Sequence, residues 1–193
     1  MTTAAPWRVF CAFDLPAQVR ELMGEHIQRL RKDFPDAAVS WGRVENFHLT
    51  VKFLGGIEID RVELISTAAA QAIRDIRPFE IFVGKTGVFP RPSRPQVLWI
   101  GVTDPQTKLA VLHERLENAC AAEGFEKEDR AYHPHLTVAR IRKSQGARQL
   151  ADAHLQMKFE SVPVELNELI VFRSELSSKG PRYTTISRHQ FSS

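Results

Sequence analysis

An α+β fold is what this sequence predicts, on three observations. Helix-type and strand-type segments interleave along the chain, some neighbouring strand-type segments are joined too briefly for a parallel crossover, and 193 residues with 43% hydrophobic content supply ample core. Segments 79–88 and 97–102 carry the second point, because the few residues between them leave no room for a crossover helix and imply antiparallel pairing.

Each element follows from a local pattern. Residues 7–13, WRVFCAF, are a β-branched and aromatic run that reads as a strand, and Asp14-Leu15-Pro16 ends it and starts a helix. That helix runs to about Lys32, with Val19, Met23, Ile27 and Leu30 on one stripe, and Pro35 stops it. Residues 39–44 and 48–54 are extended, the second stretch closed by Gly55-Gly56. Asp60 opens an amphipathic helix carrying Val62, Ile65, Ala69 and Ile73, which Pro78 ends. Strands 79–88 and 97–102 flank a loop, 89–95, whose three prolines forbid regular structure and suit it to be a cleft lip. A third helix, 105–123, sets Leu109, Leu112, Leu116 and Ala119 at helical spacing, with Gly124 as its stop. Strand 135–141, a short polar helix 147–157, and strands 162–172 and 183–191 joined by the turn 177–181 complete the order.

Composition excludes several classes. The 26 Lys+Arg against 23 Asp+Glu give a charge of only +3, a mild bias that welcomes a phosphate ligand without identifying one. No apolar run approaches the roughly 20 residues of a membrane helix, and residues 1–7 lack the basic and apolar regions of a signal peptide, so a cytoplasmic protein away from membranes is expected. Cys11 and Cys120 lack metal or redox spacing and read as buried reduced thiols.

The informative feature is a tetrapeptide that occurs twice, His48-Leu49-Thr50-Val51 and His135-Leu136-Thr137-Val138, 87 residues apart. Repetition alone is weak evidence in a chain of this length. What matters is what repeats: alternate strand residues share a face, so each copy presents an imidazole and a hydroxyl together while Leu and Val anchor the other side. Two such strands across a cleft would flank one site with two imidazoles and offer two hydroxyls to phosphate oxygens. One neutral ring can take a proton from a nucleophile while the other, protonated, delivers one to a leaving oxygen.

These two HxTx motifs resemble the signature of the two-histidine phosphoesterase superfamily, and the segments RVFCAFDLP, FHLTVKFLG, VLWIGV and HPHLTVAR resemble those of LigT-type RNA 2′,3′-cyclic phosphodiesterases, once called 2′-5′ RNA ligases, in the same order. The resemblance implies one domain, residues 1–193, built of two pseudo-symmetric lobes, each an antiparallel sheet with flanking helices, around a central cleft. It implies no metal or other cofactor, a partner that is RNA ending in a 2′,3′-cyclic phosphate, and hydrolysis to a 2′-phosphomonoester, with possible 2′-5′ ligation as a related reaction. It assigns His48 as proton donor and His135 as proton acceptor, an order the residues by themselves leave open. A monomer is expected.

Secondary positions carry less. Thr50 and Thr137 are phosphate ligands by their place in the motifs. Arg140 suits phosphate, yet strict alternation from His135 turns it to the opposite face unless the strand bends. Lys52 shares the His48 face by alternation and reads as a solvated lysine. Phe47, Phe89 and Tyr132 are candidates for stacking a base, and Arg91 and Arg94 for guiding the RNA backbone. His26, His113, His154 and His189 fit no partner pattern. Two rivals remain open: a metal-dependent hydrolase using His133 and His135, which leaves the repeated threonines unexplained, and a non-catalytic module that binds RNA ends, which has no need of a matched acid and base.

Overall fold

The computed structural model describes residues 5–177 and 180–192; Ser178 and Lys179 of the expected turn 177–181 lie outside the described residues. The elements run β1 (Trp7–Asp14), α1 (Ala17–Asp33), β2 (Val39–Trp41), β3 (His48–Ile57), α2 (Val62–Ala72), β4 (Phe79–Arg91), β5 (Arg94–Thr103), α3 (Lys108–Ala122), β6 (His135–Ile141), α4 (Ala147–Gln156), β7 (Val162–Leu166), β8 (Glu168–Ser177) and β9 (Gly180–Gln190). A 3₁₀ turn at Val44–Asn46 leads into β3, and another at Ile59–Arg61 leads into α2. All pairings are antiparallel. They form two sheets, one ordered β3-β1-β8-β9 and the other β2-β6-β5-β4-β7.

Helices α2 and α3 pack on each other and on the first sheet, while α4 packs on β4 and β5 with α1 beside it. The α1 stripe expected from spacing, Val19, Met23, Ile27 and Leu30, is buried, as is the α3 stripe Leu109, Leu112 and Leu116. Gly124 ends the third helix with φ +79, a conformation that costs glycine nothing.

One offset relates the two halves. Moving 87 residues along the chain carries His48 to His135 and its cross-strand partner Asp14 to Gly101, the partner of His135. The same shift brings β1, α1, β3 and α2 onto β5, α3, β6 and α4 to within a few residues. The α+β architecture of two pseudo-symmetric sheets with flanking helices therefore stands as read from the sequence.

Three expectations are corrected. The proline-rich stretch is not a loop: β4 and β5 continue as a hairpin to Arg91 and Arg94, with Pro90 opposite Pro95. Beyond the reach of β7, which pairs with β4 along Phe79–Val83, and of β6, which meets β5 from Val97, those prolines forfeit no ladder bond to a further strand. The stretch 162–172 is two strands in different sheets. The chain crosses between them at Asn167, whose carbonyl accepts a 2.8 Å bond from the Phe191 amide. Lys52 is not solvated; it is 1% exposed and paired with Glu117 of α3.

Candidate active site

The strands β3 and β6 start at the two histidines, and each carries the same defect three residues later. In β3 the pairing with β1 runs Ala12 to Thr50 and then Cys11 to Lys52, so Val51 is an extra residue. In β6 the pairing with β5 runs Trp99 to Thr137 and then Leu98 to Ala139, so Val138 is extra. A bulge reverses the alternation beyond it. Val51 and Lys52 are both buried, as are Val138 and Ala139. The next residues, Phe53 and Arg140, are exposed and line the same cleft as the histidines. This resolves Arg140: it joins His135 and Thr137 on one face because the strand bulges. The same device turns Lys52 away, and its ammonium donates to Glu117 Oε1 at 2.7 Å and to the Glu126 carbonyl at 3.1 Å.

The cleft has a volume of about 760 Å³ and is lined from both lobes by His48, Thr50, His135, Thr137 and Arg140. Its other charged walls are Arg8, Arg43 and Arg142 against the single carboxylate Glu128, so the field within it favours an anion. Among the described residues neither threonine hydroxyl has a partner inside the protein.

Both imidazoles are held the same way. Nδ1 of His48 lies 2.8 Å from the Asn46 carbonyl and Nδ1 of His135 lies 2.7 Å from the His133 carbonyl, in each case two residues upstream. A carbonyl only accepts, so each Nδ1 carries the proton and each Nε2 is the atom left for chemistry. The surroundings then differ. His48 sits among Phe10, Tyr183 and Phe172, with ring centroids 4.7, 5.0 and 6.5 Å away. His135 sits among Phe89, Trp99 and His133, at 5.0, 6.4 and 6.4 Å.

These aromatic walls strip water from both rings, and that desolvation holds both histidines below the usual imidazole range. For His48 the Asn46 carbonyl and Asp14 pull upward and Arg20 pulls downward. For His135 the His133 carbonyl pulls upward, while the neighbouring His133 ring and the Arg140 guanidinium push toward the neutral ring.

The other candidates are engaged in packing or lie outside the cleft. Tyr132 lines the cleft, but it stacks on His113 at 4.2 Å and donates to the Thr50 carbonyl at 3.2 Å, so one ring face is occupied. Phe47 is buried, and Phe89 packs against Trp99 and His135. Arg91 and Arg94 sit at the hairpin tip and do not line the cleft. His26 and His154 form a buried pair, and His189 bonds Ser187. The metal reading lacks a ligand set: among the described residues the one group of three ligand-type side chains within 4.8 Å of each other is His113, Glu117 and Glu128, which includes neither His133 nor His135. Arg8, Phe53 and Tyr183 join the site without having been singled out in the sequence. Strict alternation misplaces Phe53, which the Val51 bulge turns to the cleft, and Arg8 and Tyr183 reach it from strands distant in sequence.

A sequence profile of the 2′-5′ RNA ligase superfamily matches residues 17–177. A Methanothermobacter thermautotrophicus protein named RNA 2′,3′-cyclic phosphodiesterase is 33% identical over 180 residues, covering 92% of this chain and 95% of that one. An Aquifex aeolicus protein of the same name is 32% identical over 185 residues, 93% and 94% of the two chains. Among solved structures, E. coli LigT complexed with 3′-AMP superposes with a TM-score of 0.72 at 27% identity, over 97% of this chain and 99% of that one.

Proposed function

The chain belongs to the 2′-5′ RNA ligase superfamily of two-histidine phosphoesterases, and from that premise we propose that it opens 2′,3′-cyclic phosphates at RNA ends to 2′-phosphomonoesters. The observation that carries this reading is the matched pair of histidines, each with Nδ1 fixed by a carbonyl, on equivalent strands of two lobes around one cationic cleft. The relatives' shared name and the 3′-AMP complex of LigT support the choice of substrate.

In the proposed reaction His135 Nε2 takes a proton from water as its oxygen attacks phosphorus. The P–O3′ bond breaks opposite, and the departing O3′ receives the proton of His48 Nε2. Thr50, Thr137 and Arg140 hold the non-bridging oxygens, where charge accumulates. The charged surroundings favour this order, since the Arg140 guanidinium helps keep His135 neutral as an acceptor must be, whereas at His48 the Asp14 carboxylate partly offsets Arg20. Residues 1–193 act as a single two-lobed domain, a cytoplasmic monomer working without a cofactor, and 2′-5′ ligation uses the same groups in reverse. Among the described residues no helix is long and apolar enough to cross a membrane.

The test is turnover of an oligonucleotide ending in a 2′,3′-cyclic phosphate, in chelator, by wild type, His48→Ala and His135→Ala. Each substitution is expected to cost roughly 10² to 10⁴ in rate. An inert wild type, or either variant at near full rate, overturns the reading.

A further inference from the structure

Beside His48 a second groove of about 490 Å³ adjoins the cleft, and the reaction leaves it unused. The two share Arg43, Asn46, His48 and Tyr183 among their walls, so they adjoin at His48. The groove's own walls carry Arg20, Arg43, Arg182 and Arg188 against Asp14 and Glu45. Two of these cations are engaged. Arg20 donates to the carbonyls of Leu15 at 3.0 Å and Val44 at 2.8 Å and pairs with Asp14, which makes it part of the floor. Arg188 pairs with Glu168 at 2.5 Å.

Arg43 and Arg182 are left for a ligand. The carboxylate paired with Arg43 is Glu45, 3.8 Å away, with both side chains half or more exposed, a pairing that water nearly cancels. The Arg182 guanidinium has no partner among the described residues. The groove is also built by specific contacts. The Asn46 side chain donates to the Pro181 carbonyl at 2.9 Å, tying the turn before His48 to the start of β9. Gly180 has φ +107, where a side chain would be strained, and the Arg43 guanidinium lies in contact range, 3.4 Å from where its β-carbon would stand.

We propose that this groove binds the phosphodiester on the 5′ side of the terminal nucleotide, so that the enzyme reads an RNA end as at least a dinucleotide. The inference rests on the reaction proposed above, with His48 as donor. When P–O3′ breaks, O3′ stays on the ribose, so the ribose lies on the His48 side of the phosphorus. C4′, C5′ and the next phosphate follow from that ribose, which directs them into the groove that begins at His48. Arg43 stands where the two cavities join and meets this phosphate first; Arg182 stands further along. The hairpin-tip arginines Arg91 and Arg94 line neither cavity and take no part.

The experiment compares kcat/KM for adenosine 2′,3′-cyclic phosphate and for the dinucleotide ApA ending in a 2′,3′-cyclic phosphate. The wild type is expected to favour the dinucleotide about tenfold, as a charge-assisted contact allows. That ratio should shrink in R182Q and R43Q, at raised ionic strength, and with an internal methylphosphonate that keeps both bases but removes the charge. A ratio near one, or an advantage that survives the methylphosphonate or both substitutions, overturns the subsite while turnover of the mononucleotide upholds the reaction. Failure to turn over either substrate overturns both.

Discussion

A protonated Nδ1 bonded to a carbonyl leaves a histidine with one reactive nitrogen, and His48 and His135 reach that state by the same two-residue reach to Asn46 and His133. The difference in role proposed for them then has to come from surroundings. Desolvation lowers both, so in the free enzyme both limbs of the kcat/KM profile are expected on the acid side of the ordinary imidazole value of about 6.5. In the kcat profile the bound phosphodiester anion stabilises each imidazolium, and the limbs move to higher pH. Arg140→Gln removes a cation that keeps His135 neutral, so its acid limb moves up as well as its KM. A flat kcat/KM profile between pH 5 and 8, or an unmoved limb in the variant, contradicts these assignments. The pair itself was legible in the sequence because imidazole and hydroxyl alternate with apolar residues over four positions. The aromatic walls were not, since Tyr183 and Trp99 arrive from strands far along the chain.

At the scale of elements, the bulges at Val51 and Val138 decide what each strand presents. Without them Arg140 would face the helices and Lys52 the cleft. With them Lys52 spans from β3 to Glu117 on α3, both side chains buried, and Glu117 also accepts from the Glu128 amide at 3.1 Å. Breaking a buried pair strands a charge, and Lys52→Met is expected to cost about 3–5 kcal/mol in urea unfolding. The double variant Lys52→Met with Glu117→Leu should lose less than Lys52→Met alone, because no charge is then left unpaired. Equal losses for the single and double variants would mean that the packing of the stem, not the pairing, matters. The sequence could not reveal this pair: alternation predicts the wrong face for Lys52, and a bulge leaves no composition signal in an apolar strand. The proline hairpin escaped for a related reason, since prolines exclude a segment only from strands with neighbours on both sides.

Across the whole molecule, α1 and α4 meet at a buried pair of histidines. His26 Nε2 lies 2.9 Å from His154 Nδ1, and His154 Nε2 reaches the carbonyls of Trp99 at 3.1 Å and Gly87 at 3.2 Å. Since carbonyls only accept, His154 Nε2 carries a proton; burial lowers both histidines and so favours neutral rings, in which His154 Nδ1 accepts from His26 Nε2. Burial pushes His26 down to about 4, with His154 and Arg29 adding to the effect. The folded value lies below the unfolded one, so the unfolded chain binds more protons as pH falls. The stabilisation is complete above about pH 6.5 and is lost between there and about 4, on the order of 2 kcal/mol from His26. His26→Phe should flatten that part of the pH dependence of urea unfolding. An unchanged slope would show that other groups set the acid limit.

The sequence by itself determined the α+β class, most element positions, the two HxTx strands and, through resemblance, the family. These depend on local periodicity, which a strand or helix carries within a few residues. The tertiary structure decided that Arg140 enters the cleft and Lys52 leaves it, that the prolines lie in a hairpin, and that Arg43 and Arg182 line a trough beside His48. Bulges, sheet order and side-chain pairing between residues many positions apart fix those facts, and no window of sequence contains both partners.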